Sequence, residues 1–279
     1  MAFLFRWLPL RLSRALGRSV GMLGGRVFKI RKRVAEGNIR QAFPNYSLHD
    51  VERCYLDAWS HFGMVAAELA RLPRMKISDL KIAIESDNME FLNKILSGGK
   101  GAIFVSGHFG NWEWLGAMIA AQGLPFTFVV EQQSNRLVGA WMDRMRAREG
   151  VEIFSRAQAA KGTLQALKRN KMVAMLCDQD AGLAGVFVPF FDRLASTPRG
   201  PALFHLKTGA PLIYGSCCRE HGRFRLTLEE MLLPPLSGDR EEDERAIMAA
   251  ITARLEQDVR QNPEQYMWLH RRWKTAPPC

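Results

Sequence analysis

The chain is poor in cysteine. Its 279 residues hold five, Cys54, Cys177, Cys217, Cys218 and Cys279. They are scattered, with no CxxC pair and no zinc-ligand spacing. That excludes a disulfide framework and a zinc-finger site and fits inert thiols in a reducing compartment. No apolar run reaches the roughly 18 uninterrupted residues that a bilayer crossing needs. HExxH, GxSxG, GxxxxGK[ST] and GxGxxG are all missing, which sets aside zinc proteases, serine hydrolases, nucleotide-phosphate cradles and dinucleotide folds. Linkers, low-complexity tracts and internal repeats are lacking too.

Acids are nearly absent from residues 1–40, where ten Lys/Arg face only Glu36. This stretch therefore carries +9 of the formal +11, leaving +2 for everything after it. The basicity is local. Within residues 1–25, Phe3, Phe5, Trp7 and Leu8 interleave with Arg6, Arg11, Arg14 and Arg18. Arginines break up what would be the apolar middle of a signal peptide, and a central Arg opposes a spanning helix. The expectation is an amphipathic helix lying on an anionic membrane surface, kinked or begun at Pro9. The alternative is an ordinary helix packed on the domain with a solvated basic face. Nucleic acid is a weak third reading, because no helix-turn-helix or aromatic-basic RNA signature accompanies the charge.

Hydrophobic residues make up 47% of the chain, enough for one large core. From Lys29 to about Arg71 the apolar spacing is helical, with a start at Ser47–Asp50. A short helix is expected over 88–96. Beyond it, short apolar or β-branched runs at 102–106, 126–130, 151–154, 172–177, 186–190, 211–217 and 224–228 predict strands. Helical stretches at 112–122, 136–148, 158–169 and 199–208 lie among them, and a last helix spans 240–261. Strands alternating with helices predict an α/β fold with a mixed, mainly parallel sheet. Residues 26–279 are expected to form one domain.

The chemistry concentrates in Gly107-His108-Phe109-Gly110-Asn111-Trp112-Glu113. His108 follows a buried strand, at the carboxyl edge where α/β sheets place ligands. Asn111 is expected to cap the next helix and is also a candidate substrate contact. Glu113 then falls in the first helical turn, aimed back toward His108. A carboxylate beside an imidazole fixes its tautomer and stabilises its charged form, so the ring can take a proton from a hydroxyl. A capping Glu and a satisfied loop His are the structural alternative.

Four segments in order carry a family resemblance: Gly107–Trp114, Asp178-Gln179, Val186–Phe191 with Ala195–Thr197 and Gly200, and Pro263–Thr275. Together they resemble the lipid A late acyltransferases of Gram-negative bacteria, from about Asn38 to Lys274. The family's HxxxxD/E motif falls on His108 and Glu113. The resemblance implies the glycerolipid acyltransferase fold, with acyl carrier protein as donor. A lipid A precursor would be the acceptor, at the cytoplasmic face of the inner membrane. Related mannoside acyltransferases make another glycolipid or phospholipid acceptor the nearest rival, and a non-catalytic membrane-binding protein is the rival of another class.

The remaining candidates follow. Arg144 and Arg146 match the family's arginine-rich stretch; Arg146 is favoured over Arg144 as a phosphate or oxyanion contact, with a solvated helix face an equal alternative. Asp178 and Gln179, at another strand edge, suit substrate positioning. Thr197 suggests an N-cap ahead of Pro198-Arg199-Gly200, whose amides can also receive a phosphate. His270, Arg271 and Arg272 form a basic cluster whose arginine forks match phosphate geometry. The mechanism expected is direct attack of a hydroxyl on the thioester, with His108 as base and Glu113 polarising it. It requires no metal or redox cofactor and no acyl-enzyme.

Overall fold

Two runs, Ala102–Ser106 (β2) and Met172–Leu176 (β5), are buried except at Leu176, which is partly so, as strands at the centre of a parallel sheet must be. They lie side by side in a computed structural model that describes residues 5, 7–75, 84–86, 89–130, 152–155 and 159–278. Among the described residues five further strands join their sheet: Ile84–Ser86 (β1), Phe126–Val130 (β3), Glu152–Ser155 (β4), Leu212–Glu220 (β8) and Arg223–Glu230 (β9). The order is β1-β9-β8-β2-β5-β3-β4. Strands β8, β2, β5, β3 and β4 run parallel, whereas β9 doubles back on β8 and β1 follows β9. The α/β class and the mainly parallel sheet agree with the sequence.

Alternation along the central strands divides the core. Ile103, Val105, Val173 and Met175 face helices Leu48–Arg71 (α3) and Arg240–Gln261 (α8), meeting Tyr55, Ile247, Ile251 and Leu255. Ala102, Phe104, Met172 and Ala174 face Met89–Leu96 (α4) and Trp112–Ala121 (α5), meeting Leu92, Trp114, Met118 and Ile119. Ala159–Lys168 (α6) and Gly200–Thr208 (α7) follow β4 and precede β8.

The run at Val186–Phe190 (β6) forms a strand but does not join this sheet. It pairs antiparallel with Arg193–Thr197 (β7) in a separate ribbon. The connecting residues, Phe191 and Asp192, have φ of 51° and 58°, as a tight two-residue hairpin requires. The expected helix over 136–148, with Arg144 and Arg146, lies outside the described residues, as does Phe3.

The N-terminal helix differs from expectation in which face it buries. Pro9 starts Leu10–Arg26 (α1), and its buried residues are Ser13, Gly17, Gly21, Gly24 and Gly25. Those glycines lie on α3. A Cβ at Gly63 would come within 2.0 Å of the Gly17 carbonyl oxygen, and one at Gly21 within 2.1 Å of the Trp59 carbonyl oxygen. Backbone meets backbone. Phe5 is buried against Ala67 and Ala70, and Arg14 pairs with the buried Glu68, so both turn inward and neither is placed to meet lipid. Leu8 is half-buried, while Arg11 and Trp7 are exposed, Trp7 beneath the Arg74 guanidinium at 3.5 Å.

The outward face holds the large apolar side chains. Leu12, Val20, Met22 and Leu23 are exposed, and the patch continues through Val27, Phe28 (67% exposed) and Ile30. Arg11, Arg18, Arg26, Lys29 and Arg31 stand among them. Lys29 and Arg31 adopt φ of 49° and 53°, an unfavourable conformation for residues with a Cβ. Lys32–Ala42 (α2) follows, then α3, which opens with a Ser47–Asp50 capping box. Among the described residues no helix is long and apolar enough to cross a membrane.

The glycine contact gives a paired prediction. Gly63→Ala must push α1 off α3 and should cost about 1–3 kcal/mol. Gly37→Ala in α2, where a Cβ meets nothing within 4 Å, should add about 0.5–1 kcal/mol. Urea unfolding of both variants checks the pair, and equal stabilities would refute the close approach.

Candidate active site

Strands β2 and β5 pair in register, Ser106 opposite Leu176. Two residues beyond each, their chains release His108 and Asp178 side by side. From β2 the chain continues to β3, past β5; from β5 it goes to β6, β7 and then β8, past β2. Connections diverging in this way open a crevice at the carboxyl ends of the strands, where such sheets bind ligands.

Asp178 holds His108 twice. Its Oδ2 accepts the His108 backbone N–H at 2.8 Å, and its Oδ1 lies 2.7 Å from Nδ1. Asp178 is buried and His108 partly so. Burial alone would raise the Asp178 carboxyl, but the charge and hydrogen bonds of His108, with help from the Arg272 charge, hold it below the usual carboxylate range. An ionised Asp178 therefore accepts Nδ1–H, and in the neutral ring Nε2 is then the proton acceptor. The sequence pointed to Glu113 for this partnership and to Asp178 for substrate positioning. The structure puts Asp178 on the ring. Glu113 is buried in the first turn of α5 and accepts the Trp112 indole N–H at 3.2 Å. The Trp112 ring in turn stands edge-on to His108, with centroids 5.2 Å apart.

The turn 107–111 is fixed on every side. His108 C=O accepts from Met267 N–H, Gly110 N–H donates to Gln265 C=O, and Asn111 N–H donates to Cys217 C=O. Gly110 has φ of 59°, and a Cβ there would lie 2.1 Å from that Cys217 oxygen. Only glycine fits. Asn111 caps α5 as expected, Oδ1 accepting Trp114 N–H at 3.0 Å. Its Nδ2 donates to buried Glu68 at 2.7 Å, which makes Asn111 a structural residue fully removed from solvent. His61 of α3 supports the same turn, its Nε2 2.9 Å from Gly110 C=O.

The other sequence candidates divide. His270 is half-buried, and its Nε2 accepts Asp180 N–H at 3.0 Å. Burial and the nearby His108 and Arg272 charges lower its pKa, so it is neutral with its proton on Nδ1. Arg272 is buried, donating to Ser196 C=O and Thr197 Oγ1 at 2.6 Å each. Its guanidinium ties the β6–β7 ribbon to the C-terminal segment and is not set out for a headgroup. Thr197 ends β7, fully buried; the N-cap of α7 is Arg199, not Thr197. Arg199 pairs with buried Glu244. Gln179 is half-buried and Arg271 exposed. A tight hollow beside Asp178 mixes polar and apolar lining, with Ser106, Thr252 and Arg272 among Phe190, Ile251 and Leu255.

Sequence reasoning missed Glu68, His61, Arg219 and Gln265. Glu68 carried one available signal: a charge inside the apolar run Val65–Ala70.

The sequence model of the family described as bacterial lipid A biosynthesis acyltransferase matches residues 1–275. The lipid A biosynthesis palmitoleoyltransferase of Escherichia coli strain K12 is 26% identical, over 99% of this chain and 90% of its own. The lipid A biosynthesis lauroyltransferase of the same strain is 28% identical, over 97% and 88%. A phosphatidylinositol mannoside acyltransferase of Mycobacterium tuberculosis strain H37Rv is 28% identical, over 76% and 67%.

The buried imidazole under the turn makes stability depend on pH. Burial first, then the Arg219 charge, push His61 from 6.5 down to about 4. Its folded value is below its unfolded one, so its contribution is full above the unfolded value and is lost as pH falls toward 4. Between about pH 7.5 and about pH 5 the wild type should lose about 2 kcal/mol more than His61→Gln. Parallel urea titrations of the two proteins test this, and identical losses would rule it out.

Proposed function

The chain belongs to the bacterial lipid A biosynthesis acyltransferase family, and from that premise we propose that it moves a fatty acyl chain from acyl carrier protein to a hydroxyl of a lipid A precursor. The reaction takes place at the cytoplasmic face of the inner membrane. The observation that carries this reading is the His108–Asp178 pair, buried at the carboxyl edge of adjacent parallel strands.

The chemistry is a direct displacement. Nε2 of His108 takes the proton of the acceptor hydroxyl as its oxygen attacks the thioester carbonyl carbon. Asp178, already ionised, stabilises the imidazolium that forms. The tetrahedral intermediate collapses, the carbon–sulfur bond breaks, and the departing thiolate of the carrier recovers the proton from His108. Glu113, the acid of the HxxxxE motif, shares in stabilising that charge from the first turn of α5. Arg144 and Arg146 are the candidates for the oxyanion or a phosphate, with His270, Arg271 and Gln179 on the acceptor side. A thiol nucleophile is disfavoured, because Cys177, beside Asp178, is buried and burial pushes its pKa well up. The near full-length match to lipid A enzymes favours that acceptor over the mannoside class.

Access to a lipid substrate follows from the exposed side of α1 and the turn after it. In a water-soluble helix leucines turn inward and glycines are indifferent; here the glycines are buried while Leu12 and Leu23 are exposed. Apolar side chains ringed by Arg11, Arg18, Arg26, Lys29 and Arg31 suit the headgroup region of an anionic bilayer. Attachment is peripheral or through the N-terminus.

Purified protein, labelled acyl carrier protein and lipid A precursor test the chemistry. His108→Ala and Asp178→Asn should each lower kcat by roughly a hundredfold to ten-thousandfold, and Glu113→Ala should be impaired with substrate binding largely kept. Full activity in His108→Ala would end the proposal, and transfer only to mannosides would change the acceptor. Vesicle sedimentation tests the surface: Leu23→Ser with Phe28→Ser should weaken binding to anionic vesicles by about tenfold or more. Unchanged binding in that double variant would exclude this face.

A further inference from the structure

Glu68 is a fully buried carboxylate whose hydrogen bonds come from three separate parts of the chain. Oε1 accepts Arg14 Nε at 2.6 Å and Arg219 Nη1 at 2.9 Å. Oε2 accepts Arg219 Nη2 at 2.8 Å and Asn111 Nδ2 at 2.7 Å. Arg14 belongs to α1, Arg219 to β8, and Asn111 to the turn that carries His108. Packing alone does not call for a charge here, since an apolar side chain commonly serves as well in place of a buried ion pair. What the carboxylate adds is direction. It fixes the Asn111 amide so that Oδ1 caps α5 while Nδ2 points at Glu68, and Asn111 stands three residues after His108.

The same helix supplies a parallel link. His61, seven residues before Glu68 and so on the same face of α3, holds the Gly110 carbonyl. Gly63, between them in sequence, receives α1. Helix α3 thus carries the N-terminal helix and the catalytic turn together.

We propose that Glu68 is a positioning residue that transmits the seating of α1, through Arg14, to the catalytic turn. The His108–Asp178 pair then keeps its reacting geometry only while α1 lies on α3. For its activity readout this rests on the acyl-transfer reading above. A second buried carboxylate held by arginines stands elsewhere in the molecule, its Arg240 more exposed than Arg14. Glu244 is also fully buried and also held by two arginines, Arg199 and Arg240, but it makes no contact with residues 107–111.

The test compares Arg14→Met, Arg14→Lys, Glu68→Gln and Arg240→Met in the full chain, with detergent-dispersed acceptor. It reads kcat, KM, and the low-field proton NMR signal of His108 Nδ1–H, identified by its absence in His108→Ala. Arg14→Met should lower kcat about tenfold with KM within about twofold, and should shift or broaden the signal. Arg14→Lys should restore most of both, whereas Arg240→Met should change neither. Glu68→Gln should lose about a hundredfold, and Arg14→Met decides the matter if that variant does not fold. A folded Arg14→Met with wild-type kcat and an unmoved signal overturns the proposal. So does an equal loss in Arg240→Met, which would mark general destabilisation. If the wild type transfers no acyl chain, the acyl-transfer reading fails on its own and the NMR signal alone decides, because it reports the His108–Asp178 bond and not the reaction.

Discussion

Parallel pairing of β2 with β5, Ser106 opposite Leu176, is the constraint on which the rest of the molecule depends. A slip of one residue would send alternate side chains to the wrong faces, moving Ile103 and Val105 into the cluster that Phe104 fills. It would also separate His108 from Asp178. Two apolar cores, one on each face, therefore hold the register that the His108–Asp178 hydrogen bonds need. No loop has to find its partner by itself. The precision of the site comes from hydrophobic packing some distance below it, with the two strand ends as the delivery points.

Above the sheet, the turn 107–111 is secured by groups that are costly to leave unpaired. Buried carbonyls and amides of Gly110 and Asn111 find partners in Gln265, Cys217 and His61, and the buried carboxylate Glu68 is matched by two guanidinium groups. Taking one partner from a buried ion pair costs roughly 3–5 kcal/mol, much of it the penalty of the charge left behind. Such networks add little net stability over an apolar core. Their effect is to make one arrangement of the turn far better than its neighbours.

Much of this was legible in the sequence because the relevant signals are local. The buried runs 102–106 and 172–176, the Ser47–Asp50 cap, the Asn111 cap and helix 240–261 all announce themselves through neighbours a few residues away. What could not be read depends on partners far along the chain. Asp178 and His108 each stand two residues beyond a strand, but nothing local says that those strands are adjacent. The β6–β7 ribbon was hidden because its turn uses Phe191 and Asp192 at positive φ, where Asn-Gly would have signalled a hairpin. At the N-terminus the facing of the side chains could not be read. Leu12, Val20 and Leu23 are exposed, but Phe5, ahead of α1, and Arg14 within it turn inward, because glycine-to-glycine contact brings that face against α3.

That contact turns the first helix into a motif with its own grammar. Arg14, Gly17, Gly21 and Gly24 fall on one side as Arg-x-x-Gly-x-x-x-Gly-x-x-Gly, fixed by the chain beneath. Val20, Met22 and Leu23, between them, are exposed and answer to whatever lies outside. An N-terminus of this kind can drift in its outward-facing letters. It cannot be exchanged for an unrelated helix unless the arginine and the small residues return at the same intervals.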